Sequence, residues 1–203
     1  SVSGKNWIYK KFDSSDVKNI SEKYSLSEIS SKLLSIRKEK IGNLDLFLNP
    51  KIKNLLPNPM NLKDMNEAIE RTYKSIVNSD LIGIFGDYDV DGATSTALLA
   101  KYFLTIKQKI KTYIPERKTE GYGPTNKSFI SLINDGAKLI FTVDCGTLSY
   151  EPIKTANNSN VDVIVLDHHQ SDILLPNACA IINPNRHDDT SNLNYLCAAG
   201  VCF

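Results

Sequence analysis

The chain has 203 residues, of which 41% are hydrophobic, 23% charged and 8% aromatic, with ten Gly and eight Pro; this average profile excludes collagen, coiled coil and wholesale disorder. Twenty-four basic against twenty-three acidic side chains leave a net charge of +1, so no global field draws the protein to nucleic acid or membrane, and any polyanion must be met locally. The four cysteines lack a CxxC or finger-like spacing, and the longest apolar runs, of about five residues, fall far short of the roughly 18 to 20 needed to cross a bilayer. Reduced thiols in a soluble, cytoplasmic protein with no membrane partner are therefore expected.

Charge divides the chain unevenly. The first 80 residues carry 14 Lys/Arg and 10 Asp/Glu, the remaining 123 carry 10 and 13. In the basic front, Ser25 to Gly42 has apolar residues at Leu26, Ile29, Leu33 and Ile36, a Ser25/Glu28 capping box and Gly42 as a stop, which predicts one amphipathic helix. Asn49 to Asn61 holds Pro50, Pro57 and Pro59 and reads as a connector, because proline denies the chain regular hydrogen bonding. A second helix is expected from Leu62 to about Asn78, with Met65, Ile69, Tyr73 and Ile76 on one face.

After Asp80 the period changes. Apolar, β-branched runs at 81–85, 111–115, 138–144 and 161–167, with a short one at 180–182, alternate with helical patterns at 93–106, 126–134 and about 150–157. Strands that are apolar throughout and separated by helices predict an α/β fold: a mostly parallel open sheet covered by helices on both faces.

Ligands of such sheets collect beyond the carboxyl ends of the strands, and three of these strands run into acid. The first leads into GDYDVDG with Asp87, Asp89 and Asp91; the third ends at Asp144 of TVDCG; the fourth ends at Asp167, followed by His168 and His169. One such aspartate is readily a helix cap. Up to five carboxylates and two imidazoles on one sheet edge repel one another unless a cation neutralises them. Hard carboxylates with imidazole and no thiolate set suit Mn²⁺ or Mg²⁺. If the Asp-x-Asp-x-Asp run were extended, Asp89 and Asp91 would point the same way toward two neighbouring ions, with Asp144 as a bridge; two ions roughly 3.5 to 4 Å apart support in-line phosphoryl displacement.

Phosphate-binding parts accompany these acids. Gly92 would open a helix whose amides meet an oxyanion. Arg117, one of four arginines, carries a fork suited to phosphate, and is read equally as a surface ion pair with Glu116 or Glu120. Tyr122, between Gly121 and Gly123, is a turn residue or a base-stacking platform.

GDYDVDGATSTALL, IPERKTEGYGPT, FTVDCG and VLDHHQ, in that order, resemble the successive motifs of the DHH phosphoesterase superfamily. EGYG, AIINPNR and LCAAGVCF are similar to its RecJ branch, whose members are Mn²⁺- or Mg²⁺-dependent 5′-to-3′ exonucleases on single-stranded DNA in recombination and repair. The resemblance is strong over Leu81 to Phe203. It implies residues 1–60 as a helical amino-terminal region and connector and 61–203 as the DHH domain.

By motif position the resemblance implies that Asp89 and Asp144 hold one ion, and Asp91, Asp144 and His168 the other. His169 faces the scissile phosphate, Arg117 binds the strand, and Asp87 and Asp167 orient ligands, with Asp87 a further candidate ligand. Two departures bear on this. Phe85 stands where some superfamily members have a histidine ligand, and the sequence stops inside a glycine-containing motif that lies midway through the RecJ core. An amino-terminal fragment lacking one metal-binding aspartate and its carboxyl-terminal domains is therefore expected, folded around its sheet but cleaving DNA poorly or not at all.

Three other readings compete. DVDGAT at 89–94 also looks like the Asp-x-Asp-Gly motif of haloacid dehalogenase-like phosphatases, where the first aspartate is a nucleophile. Within the superfamily, phosphodiesterases of short oligonucleotides or cyclic dinucleotides and family II pyrophosphatases share the Asp/His motifs. A scaffold that has lost its metals is the non-enzymatic alternative, against which the joint retention of Asp89, Asp91, Asp144, His168 and His169 speaks.

Overall fold

The computed structural model describes residues 3–203, the side chains of 39 and 40 excepted. Two compact units divide at Pro57/Asn58, three residues before the 60/61 boundary read from the sequence. In the first unit, α1 (Ser14–Tyr24) is capped by Asp13, whose side chain accepts from the Ser15 and Asp16 amides. The helix α2 (Glu28–Ile41) follows and ends at Gly42 with φ 67°, as the sequence predicts. Its start differs from expectation: Ser27, not Ser25, is the N-cap, accepting from the Ser30 amide. Ser25 is instead left-handed, φ 53°, and closes α1 through its backbone amide, which donates to Ser21 O. The two helices bury Val17, Ile20 and Leu34. Single-turn helices α3 (Leu44–Leu48) and α4 (Ile52–Leu55) complete the unit, so the proline-rich connector read over 49–61 contains two short helical turns, α4 and a 3₁₀ turn at Pro59–Asn61.

The second unit begins with a 3₁₀ turn at Pro59–Asn61 and α5 (Met65–Val77). Only part of the apolar face is covered. Ala68 and Ser75 are buried, with Met65 and Ile76 partly so, whereas Ile69 and Tyr73 are exposed. Beyond it come β1 (Leu81–Gly86), α6 (Val90–Thr105), β2 (Ile110–Tyr113), α7 (Arg117–Glu120), α8 (Asn126–Asn134), β3 (Ala137–Val143), α9 (Tyr150–Asn158), β4 (Asp162–Leu166), β5 (Ala180–Ile182) and α10 (Ala198–Cys202). The five strands form one sheet in the order β2-β1-β3-β4-β5, and every pairing is parallel.

Strand residues alternate between two cores, as the period of two requires. Ile82, Ile84, Leu139, Phe141, Ile164 and Ile182 pack with α5, α6 and α10 residues such as Ala68, Phe103 and Val201. Phe85, Ile140, Val163, Val165 and Ile181 pack with Phe129 and Leu132 of α8 and Ile153 and Ala156 of α9. The sheet is thus covered on both faces. The chain reverses its direction of winding between β1 and β3, which opens a crevice at their carboxyl ends.

Candidate metal and phosphate site

One residue past each of four adjacent strands stands a polar side chain: Asp87 after β1, Asp144 after β3, Asp167 after β4 and Asn183 after β5. The ladder continues through them. The Asp87 amide donates to Val143 O at 3.3 Å, that of Asp144 to Leu166 O at 2.9 Å, and that of Asp167 to Ile182 O at 3.0 Å. The row therefore inherits the rigidity of the sheet.

Asp144 is the centre of the row. It is 1% exposed and left-handed, φ 61°, a conformation that costs an L-residue about 1 kcal/mol or more and occurs where function demands it. One ligand atom each from Asp87, Asp89 and Asp144 lie within 4.8 Å of one another, and so do one each from Asp144, His168 and His169. Asp144 belongs to both groups. Burial first, then its hydrogen bond to Asp89 and the charges of Asp91 and Asp89, push the Asp144 carboxyl up to about 7. His168 Nε2 stands 3.2 Å from Asp144 Oδ1, yet that buried oxygen receives no hydrogen bond from any described residue. Left unpaired, such an oxygen costs free energy; a divalent cation would satisfy it, and carboxylates with imidazole are the donors that Mn²⁺ and Mg²⁺ accept.

The GDYDVDG loop differs from the extended run expected. Asp89 is the N-cap of α6, its Oδ1 accepting from the Gly92 amide at 2.9 Å, and that bond leads the causes holding its carboxyl below the usual range. Asp91 lies inside the first turn of α6. Its two oxygens accept from the Ala198 and Ala199 amides, each at 2.8 Å, and Asp91 Oδ2 is 3.6 Å from His168 Nε2. Alternate carboxylates therefore do not share one direction, and Asp91 secures α10 while bordering the cluster. Gly92 is corrected too: it is buried, its amide is turned to Asp89, and a Cβ there would lie 2.5 Å from Asp87 O. Its need is close packing, not an open anion seat. Asp89 stands three residues past the end of β1 at Gly86 and caps α6 through one oxygen, leaving the other free to act as a ligand; it does not cap the strand itself, where the haloacid dehalogenase reading would need its nucleophile.

Asp167 is 1% exposed and holds the histidine loop. Its Oδ1 accepts from the amides of His168 at 2.7 Å and His169 at 3.2 Å and lies 2.7 Å from His169 Nδ1, while Oδ2 accepts from the Thr147 amide at 3.1 Å. Burial alone would raise its pKa, but the bonds from His169 and Thr147 outweigh it and bring the carboxyl down to about 2. The same Asp167 bond raises His169 above the ordinary imidazole value. His169 Nε2 lies 3.3 Å from the Tyr122 hydroxyl, and the two rings meet edge to face at 6.1 Å.

Tyr122 in turn meets Tyr88 at 6.4 Å, and the Arg117 guanidinium lies over the Tyr88 ring at 5.3 Å from its centroid. Glu120 accepts instead from the Tyr113 hydroxyl and the Glu116 amide. A row from cation through two phenols to imidazole thus borders the carboxylates. Beside it opens a cleft of about 540 Å³ lined by Tyr122, Pro124, Leu148, Tyr150 and His169, among others. Thr147, Asn183 and Asn185 receive no role from the sequence, although Asn183 and Asn185 lie in the AIINPNR segment and all three stand in the loops that follow β3 and β5.

The family model described as "DHH family, N-terminal domain" matches residues 81–203. The single-stranded-DNA-specific exonuclease RecJ of Bacillus subtilis is 33% identical over 97% of this chain and 25% of its own length. The protein of the same name from Escherichia coli is 36% identical over 77% of this chain and 27% of its own. A crystal structure of exonuclease RecJ bound to manganese superposes with a TM-score of 0.63 at 29% identity, covering 70% of this chain and 36% of that one. RecJ of Thermus thermophilus in complex with Mn²⁺ superposes with a TM-score of 0.68 at 22% identity over 93% of this chain and 26% of its own, a likeness of fold. The chain spans about a quarter of the length of these curated relatives.

Proposed function

Because the chain belongs to the DHH family, we propose that it forms the metal-bearing part of a hydrolase of phosphodiester bonds, one that removes nucleotides 5′ to 3′ from single-stranded DNA. The observation that carries the reading is Asp144, buried, shared by two clusters of donors and left with an unpaired oxygen. Support comes from relatives named single-stranded-DNA-specific exonucleases and from a solved relative described as bound to manganese.

Asp89, Asp144 and His168 would hold the cation, with Asp87 and Asp91 adjoining. When bound, Mn²⁺ or Mg²⁺ supplies Lewis-acid stabilisation of phosphoryl oxygens and lowers the pKa of water. The chain's own residues do the rest. Asp167 holds His169 through Nδ1 and leaves Nε2 facing Tyr122 and the cleft, where it can donate a proton to a phosphate oxygen. Arg117, levelled over Tyr88, presents its donors to the strand phosphate. The phenols and the adjoining cleft give a nucleoside a face to stack on, worth about 1 to 3 kcal/mol per base.

Repair and recombination in the cytoplasm are the setting this activity fits; among the described residues no helix is long and apolar enough to cross a membrane. The test is digestion of 5′- and 3′-labelled single strands by the polypeptide that carries this chain. Stepwise release from the 5′ end that needs Mn²⁺ and is lost in His169→Ala is expected. Equal rates with chelator present, or undiminished activity of His169→Ala, would refute the proposal.

A further inference from the structure

The β5 strand leads into Asn183-Pro184-Asn185-Arg186, and this tetrapeptide reaches both histidines from behind. Asn183 is 0% exposed. Its Nδ2 donates to His169 O and to Thr147 Oγ1, both at 2.9 Å, and its Oδ1 accepts from the Asn185 amide at 2.8 Å. Asn185 Nδ2 donates to His168 O. The main-chain carbonyls of two successive histidines are thus held by two side-chain amides two residues apart.

Asn183 also closes a ring. From Thr147 Oγ1 the path runs to the Thr147 amide, to Asp167 Oδ2, through Asp167 Oδ1 to His169 Nδ1, and back from His169 O to Asn183. No other side chain of this size offers two donors and an acceptor in one plane. Aspartate would match the shape, but it lacks both donors and would bury a charge against two oxygens. Pro184 stiffens the link between the two asparagines, and Arg186, itself buried, ties the segment to Asp64, Asp188 and Ile181 O.

We propose that Asn183 and Asn185 are positioning residues that aim the two imidazoles separately, Asn183 setting His169 and Asn185 setting His168. The inference rests on the reading of these histidines as functional groups, and it makes a paired prediction that general support of the loop would not. Groups that orient a ligating or reacting side chain typically govern about 10- to 100-fold in metal affinity or activity.

The experiment compares Asn183→Ala and Asn185→Ala in the metal-free chain by ¹⁵N-histidine spectra, with folding checked by circular dichroism. Asn183→Ala should shift the His169 ring nitrogens and leave those of His168 in place. Asn185→Ala should do the reverse, with backbone amide signals outside the 144–186 loops unmoved. In the same samples Asn185→Ala should weaken Mn²⁺ binding about 10-fold by calorimetry, and Asn183→Ala by less than 3-fold. Unchanged histidine spectra in a folded variant, or equal disturbance of both rings by either change, would overturn the assignment. Should Asn183→Ala unfold, the half-buried Asn185→Ala decides alone by the same pairing. Because the spectra are recorded without metal, an unaltered chain that binds no Mn²⁺ would count against the proposed function while the spectra still judge the clamp.

Discussion

Replacing Asp144 by Asn should stabilise the metal-free protein, and by an amount that grows with pH. The ordinary aspartate value is 3.8, and the folded site raises this carboxyl to about 7 through burial and its acidic neighbours. A group whose folded pKa is raised contributes stability that is complete below the unfolded pKa and is lost as pH rises through the folded one. At pH 5 the folded chain keeps Asp144 protonated; at pH 8 it must carry the charge. With about 1.36 kcal/mol per unit of pKa, the wild type loses about 2 to 3 kcal/mol between those pH values relative to Asp144→Asn. That corresponds to roughly 5 to 10 °C in melting temperature for a unit of this size. Urea denaturation of both proteins in chelator at pH 5 and pH 8 measures it directly. A gap that is equal at the two pH values, or an Asn variant that is less stable at pH 8, would refute the reasoning.

Asp167 carries the opposite sign: its carboxyl is lowered to about 2, so its stabilisation is present above about pH 4 and disappears as pH falls toward 2. Asp167→Asn should therefore cost about 2 kcal/mol at pH 7 in urea unfolding, a deficit that fades below pH 3; a deficit independent of pH contradicts the account. Gly92→Ala should destabilise by about 1 to 3 kcal/mol, since the new methyl would lie 2.5 Å from Asp87 O, and an unchanged thermal melt would show that the approach is not tight. Arg117→Ala should alter stability by less than about 1 kcal/mol, the range of an exposed cation–π contact, while weakening capture of a short oligothymidylate several-fold in fluorescence anisotropy. Unchanged binding would remove Arg117 from the phosphate path.

What the sequence conveys and what it conceals follow from range. Strands β1, β3, β4 and β5, and the acids after the first three of them, are legible because a strand buried on both faces is mostly apolar and its abrupt end in a polar residue is local; the edge strand β2, with Lys111 and Thr112 exposed, carries a weaker signal. The short AII run is a strand from Ala180 to Ile182, as read. Which side of α5 packs is not legible from its apolar residues, because the buried side holds the small Ala68 and Ser75 while the larger Ile69 and Tyr73 stay exposed. Asp91 was misread because α6 starts at Val90, three residues before Ala93, turning an apparent alternation into a helical turn. The start of α2 was lost to a choice between two serines that the left-handed Ser25 settles. Asn183 and Asn185 look like turn formers in an NPN triplet; only the pairing of β5 beside β4 brings their amides to the histidine carbonyls.

The central claim is that Asp144 joins two groups of donors around bound cation. Titration calorimetry of this chain with Mn²⁺, beside Asp144→Ala, tests it most directly. Saturable binding by the unaltered chain and none by the variant is expected, with circular dichroism showing both folded. Equal binding by the two proteins would place the metal elsewhere and contradict the account.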